Sequence, residues 1–207
     1  ELTAASGTQV FAAIKPTYNQ TSTTAGTDLL INRTQTAVGS GAQNLIDLQV
    51  DSASKYRITN KGAVIHTASA NNSATENRVL YGATTDAATA VELTSDGAVG
   101  SGTTNRISVL ADTSLSIVLN IGVKQSASTN AKQMLRQCVI TNNGGTTALS
   151  GTPIALGTDT GDAGLATVTC TITANNTDDC LKVEVNGVVG TNLRYTCYVV
   201  SVNTLYA

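Results

Sequence analysis

The chain has 207 residues, with 12 lysines and arginines against 14 aspartates and glutamates and a formal net charge of −2. That excludes a basic face spread along the chain, of the kind that neutralises many phosphates. Only 13% of residues are charged and 3% aromatic, with 1 histidine and no tryptophan. A single histidine excludes an internal two-histidine metal site and admits at most one histidine-based catalytic group.

In chain order, Val10, Phe11, Ala13 and Ile14 predict a short strand that ends at Pro16. Asp28 to Thr36 (DLLINRTQT) reads as a second strand and Gly39-Ser40-Gly41 as a turn. From Asn44 to Asp51, Ile46, Leu48 and Val50 alternate with Asp47, Gln49 and Asp51. A period of two marks a half-buried strand. Lys55 to Thr59 repeats it around Tyr56 and Ile58, and Asn60-Lys61-Gly62 turns the chain into Ala63 to Thr67. The stretch from Ala68 (ASANNSATEN) is small and polar without periodicity, which predicts a linker over 69–79.

Beyond it the strands lengthen. Leu115, Ile117, Leu119, Ile121 and Val123 share one face of Ser114 to Val123. Val168, Cys170 and Ile172 alternate with threonines, Leu181, Val183 and Val185 with Lys182 and Glu184, and Leu193, Tyr195, Cys197 and Val199 form the last alternating face. Turn signals fall at Asp96-Gly97, Asn143-Gly144-Gly145, Asn175-Asn176 and Asn186-Gly187. Asn130 to Gln137 (NAKQMLRQ) has helical propensity, but its strand neighbours favour strand. Threonine supplies roughly a sixth of the chain, well above ordinary usage, and suits a pleated surface. The sum is an all-β protein: a short-stranded shaft module over 1–68, the linker, and a β-sandwich or jelly-roll-like knob over 80–207. So little aromatic mass yields little buried area per residue, so part of the core is expected to lie between subunits. No apolar run reaches the roughly 18 residues of a membrane span. The first residue is Glu1, which predicts a fragment or processed form of a longer protein.

These segments carry a resemblance. Thr27 to Gly62, TDLLINRTQTAVGSGAQNLIDLQVDSASKYRITNKG, resembles a module that recurs in the shafts of tailed-bacteriophage tail fibres and receptor-binding proteins. Family members carry a similar "LLIN-T-TA-GSG-Q-LID-QV…SK" string followed by an asparagine-glycine-type turn. Thr84 to Gly97, Asn105-Arg106-Ile107, Asp162-Ala163-Gly164 and Cys180 to Val199 are similar to runs of a C-terminal fibre-tip domain. The chain departs from that pattern in having Tyr195 where the last strand often has tryptophan, and in its 4 cysteines. The resemblance implies a homotrimeric fibre in the virion, with a shaft and a tip. The tip would bind a host surface receptor, a glycan being the expected class, while a further N-terminal region would contact other virion proteins. It implies no cofactor, no nucleic-acid partner and no membrane insertion. A head fibre or capsid decoration protein with the same modules is the alternative, and a polysaccharide depolymerase a more distant one.

Candidate chemistry is sparse. His66 has no neighbour in sequence that suggests a triad or metal site and reads as a shaft-strand histidine. Glycan hydrolysis needs two carboxyls about 5 to 9.5 Å apart; the close pairs are Asp178 with Asp179, in a hairpin turn, and Asp159 with Asp162. The run DTGDAG from Asp159 to Gly164 lacks the ligand pattern of an EF-hand and reads as a glycine-rich turn. Cys138, Cys170, Cys180 and Cys197 form no C-x-x-C, so they are either disulfides in the tip or buried thiols. Tyr81, Tyr198 and Tyr206 are candidate surface aromatics.

Overall fold

The computed structural model describes residues 14, 17–19, 21, 25–34, 36, 43–67 and 74–205. The chain separates into two compact units, 1–39 and 40–207. In the first, residues 25–34 are exposed and irregular, so Asp28 to Thr36 is not the strand the sequence predicts. Leu29, Leu30 and Ile31 are consecutive rather than alternating, and a strand forms only where a neighbour satisfies its backbone groups. The predicted strand around Val10 to Ala13 and the turn at Gly39 to Gly41 lie outside the described residues.

The second unit is all-β. Its strands are β1 (Asn44–Val50), β2 (Ala53–Thr59), β3 (Val64–Thr67), β4 (Ala74–Thr84), β5 (Val91–Glu92), β6 (Ile107–Ser108) and β7 (Thr113–Gln125), followed by β8 (Ala131–Asn143), β9 (Thr146–Leu149), β10 (Ile154–Ala155), β11 (Thr160–Gly161), β12 (Cys170–Asn175), β13 (Cys180–Val185) and β14 (Leu193–Leu205). The larger sheet runs β1-β2-β3-β4-β14-β7-β8-β10, with β9 and β11 also on β8; the smaller places β13 between β12 and β5, with β6 also on β13. The neighbouring strands of both sheets pair antiparallel, and the two sheets form a sandwich over β4–β14–β7–β8.

Alternation decides which side is buried. Leu115, Ile117, Leu119, Ile121 and Val123 of β7 face the smaller sheet, and so do Leu193, Tyr195, Cys197 and Val199 of β14. Leu181, Val183 and Val185 of β13 meet them from the other side, while Leu93, Val109, Leu165 and Val168 close the ends. The run with helical propensity is strand β8, because Met134, Cys138 and Ile140 fill the same core. Asn143-Gly144-Gly145 turns β8 into β9 with φ of +58° at Gly144 and +84° at Gly145, angles that glycine adopts without strain. Asn186-Gly187 is not a hairpin turn. A Cβ at Gly187 would lie 1.9 Å from the Ala87 carbonyl oxygen, so this glycine permits a close approach of two backbones.

Two expectations change. Residues 74–79, placed in the linker, belong to β4, which pairs with β14 along its whole length and with β3 at its start. The sheet passes without a break from β3 to β4, and the boundary between compact units lies at Gly39 instead. Both faces of this stretch are polar (Thr75 and Asn77 on one, Glu76 and Arg78 on the other), which erases the hydrophobic period that would reveal a strand. The knob also has an interior of its own, aliphatic rather than aromatic, so a core shared between subunits is not needed there. The expectation keeps its force for β1–β3, where Ala63, in the turn before β3, is the sole buried hydrophobic side chain among residues 43–67.

Candidate functional site

His66 lies exposed on β3 opposite Tyr56 and Thr75. It meets the Tyr56 ring edge-on, with centroids 4.9 Å apart. The acidic pairs are each tied to separate structural partners. Asp178 accepts from Arg106 at 2.6 Å and from Asn175 Nδ2 at 2.9 Å, and Asp179 accepts from Thr147 Oγ1 at 2.7 Å. Asp159 takes both Nη atoms of Arg136, at 2.6 and 2.8 Å. Asp162 accepts from the Ala131 N–H at 2.8 Å. The Arg136 hydrogen bond holds the Asp159 carboxyl below the usual aspartate range.

These last residues border an open cleft of about 520 Å³ lined by Lys132, Arg136, Thr158, Asp159 and Asp162 among others. Its cations are already committed. Lys132 Nζ donates to the carbonyls of Leu165, Ala166 and Val168 at 3.3, 3.2 and 2.6 Å, while Arg136 is neutralised by Asp159. The cleft borders a braced loop, with Asp162 on its wall held by the Ala131 N–H. Among the described residues no three His, Cys, Asp or Glu side chains gather as metal ligands.

A second polar cluster underlies the edge of the sandwich. Arg106, on the approach to β6, holds Glu92 of β5 through Nε at 2.6 Å and Nη2 at 2.9 Å, besides Asp178. Gly100 packs so closely over it that a Cβ would sit 2.1 Å from Glu92 Oε2. Asn105, next to it and buried, organises the loop before β6. Its Nδ2 donates to Asp96 Oδ1 at 2.9 Å and to the Val99 carbonyl at 3.1 Å, and its Oδ1 accepts from the Ser101 N–H at 2.9 Å. The sequence marked Asn105-Arg106-Ile107 only by resemblance; the structure makes it the anchor of this loop.

All four cysteines are free thiols, with Cys138, Cys180 and Cys197 buried and Cys170 partly so. Burial pushes Cys138 up to about 11, Cys170 up to about 12, and Cys197 higher still. They behave as small apolar side chains of the core.

The feature least legible in the sequence is an open surface. The side of β4–β14–β7–β8 opposite the smaller sheet carries Tyr81, Val118, Ile154, Tyr198 and Val202, all exposed. Tyr81 pairs with Thr196 and Tyr198 with Val79, so the two rings stand diagonally on adjacent strands of that side. Val200, Leu135 and Val139, half-buried, fill the ground between. Tyr206 lies outside the described residues. Exposed tyrosines and aliphatic side chains gathered on one side of a sheet suit contact with another surface.

No protein-family model matches the chain, and no curated protein matches it. Among solved structures, the tailspike protein of Acinetobacter baumannii phage AM24 is similar with a TM-score of 0.32 and 10% identity, over 62% of this chain. The match spans 26% of that protein, and a likeness so distant transfers no role.

Proposed function

We propose that the chain is the distal part of a bacteriophage fibre, a homotrimeric virion protein that attaches the particle to the host cell surface by binding and not by catalysis. The observation that carries this reading is the run from Thr27 to Gly62, whose wording resembles a fibre-shaft module over 36 consecutive residues. The distant likeness to a tailspike is in keeping with it and carries none of its weight. Beta strands β1–β3 form a ladder too thin to bury a core alone, as a shaft completed by other copies would be. Asp178 and Asp159 are held in ion pairs with arginines and Asp179 and Asp162 by hydrogen bonds, an arrangement that braces loops.

The mechanism is avidity. Three weak sites per fibre, and several fibres per particle, convert modest contacts with a surface glycan into firm attachment. The test is adsorption of the purified chain to bacterial cells, compared between the assembled protein and a dissociated form. Strong retention of the assembly, weak retention of single chains and no release of reducing sugar from the envelope are expected. Equal retention of single chains, or sugar release, overturns the reading. Immunogold labelling at the capsid instead of the tail would move the protein to a head fibre.

A further inference from the structure

We propose that the uncovered side of the larger sheet, from β1 to β10, is where copies of this chain pack against one another. The inference rests on the fibre reading and deepens it by naming the surface. Directly paired residues point to the same side of a sheet, so the register traces the face strand by strand. One row runs Ile46, Ile58, Val64, Asn77, Val200, Val118, Gln137, Ile154 and crosses every strand from β1 to β10. Beside it runs Leu48, Tyr56, His66, Thr75, Val202, Ser116, Val139, and on its other side Val79, Tyr198, Asn120, Leu135. The apolar side of the shaft strands and the apolar outer side of the knob are therefore one surface.

The opposite side behaves differently. There Asp47, Arg57, Ile65 and Glu76 give way at β14 to Ser201, Ile117 and Cys138. That side is polar where nothing lies above it and apolar where the smaller sheet covers it. By the same logic, a side that stays uncharged along these rows and carries an apolar residue on each of its eight strands is built to be covered along its breadth.

Charge selects the occupant. Two copies of one surface present the same charges to each other, so a self-contact surface must be neutral or finely mixed. These rows contain no Asp, Glu, Lys or Arg; the cations on this side, Lys124 and Arg194, stand together at one end. Size agrees. The 8, 7 and 4 positions of these rows, at about 4.8 Å between strands and about 6.8 Å along them, give on the order of 600 Å², comparable with the roughly 800 Å² each partner contributes to a standard specific interface. Three such sheets facing a common axis would leave the rows inside and the loops of the sandwich outside.

The test is the mass in solution of the full chain and of a Val118→Lys/Val200→Lys double variant, a directly paired couple at the middle of the face. The unaltered chain is expected near three times 21.1 kDa and the variant near 21.1 kDa, with its strand circular dichroism and cooperative melting kept. A variant that stays trimeric overturns the face while leaving the trimer standing. A monomeric unaltered chain overturns both. Should the variant fail to fold, single Val118→Cys and Val189→Cys chains decide. In the assembly the first thiol should be blocked to a maleimide and the second, in the loop after β13, should react freely. Equal labelling of both refutes the proposal, as does a blocked Val118→Cys thiol in a chain that is monomeric, where a segment of the same chain is the cover. Loss of cell adsorption by the lysine variant without loss of the trimer would make the face a receptor surface and refute it too.

Discussion

Replacing Arg106 with methionine removes the cation from the centre of the β5–β6–β13 corner and keeps most of its apolar stem. The Arg106 side chain is 9% exposed and that of Glu92 11%, and Arg106 supplies both of the short hydrogen bonds to that carboxylate. Hydrogen bonding to Glu92 raises the guanidinium pKa further, against the opposing effect of burial. Asp178 would lose less, because its side chain is 33% exposed and Asn175 still donates to it. Breaking a buried ion pair by deleting one partner costs about 3–5 kcal/mol, most of it from the charge left behind. The residual exposure of Glu92 places the expectation at the lower end, about 3 kcal/mol. With a urea m-value of about 2 kcal/mol per molar, the midpoint should fall by roughly 1.5 M. The assay is urea unfolding at pH 7 and fixed chain concentration, since any assembly makes stability concentration-dependent. The Arg106→Met/Glu92→Met double variant should recover much of the loss by removing both charges. A midpoint shift for Arg106→Met below about 0.3 M, or a double variant whose loss is the sum of the two single losses, would refute the argument.

Two further outcomes follow from groups already described. With its thiol pushed up to about 11, Cys138 in the native chain should be alkylated at pH 8 on the order of 100-fold more slowly than an ordinary thiol from thiolate depletion alone, and in urea all 4 cysteines should react at once; any alkylation of native Cys138 at the ordinary rate contradicts its placement. Asp159, held low by Arg136, and Asp96, where burial pushes upward but hydrogen bonds from Ala98, Asn105 and Thr94 outweigh it, both have folded values below the unfolded value near 3.8. Their contribution is complete above that value and drains away as pH falls through the folded values, because the unfolded chain then binds more protons. The urea midpoint should hold between pH 7 and about 5 and fall below about pH 4, with a shallower fall in Asp159→Asn; an identical slope in that variant would sink the assignment.

What could be read in advance was whatever repeats with a period of two against a single cover. The faces of β7, β13 and β14 emerged residue by residue because one side is buried and the other more open to water. The predicted strand over Asp28 to Thr36 failed because apolar content without alternation or a partner does not make a strand. The start of β4 was missed for the opposite reason: it has partners on both sides but polar residues on both faces. The proposed contact surface was hidden in principle. Sequence gives which residues of a strand share a side, but the cross-strand register that aligns β1 with β10 over many residues of chain exists only in the fold.

The runs that resemble fibre tips point the same way. Thr84 to Gly97 supplies Glu92, Thr94 and Asp96; Asn105-Arg106 supplies the groups that bind Glu92 and Asp96; and Asp162 pins β8 at Ala131. The contacts of Glu92, Thr94, Asp96, Asn105 and Arg106 are half-buried, where a lost partner leaves a desolvated group, whereas the Asp162–Ala131 contact is exposed. The outer face, by contrast, asks only for neutral residues of roughly fitting size, a demand that Val, Tyr, Leu, Asn or Gln can meet. The resembling runs thus fall on the bracing contacts, while the proposed contact between copies is traced by an uncharged face that only the register reveals.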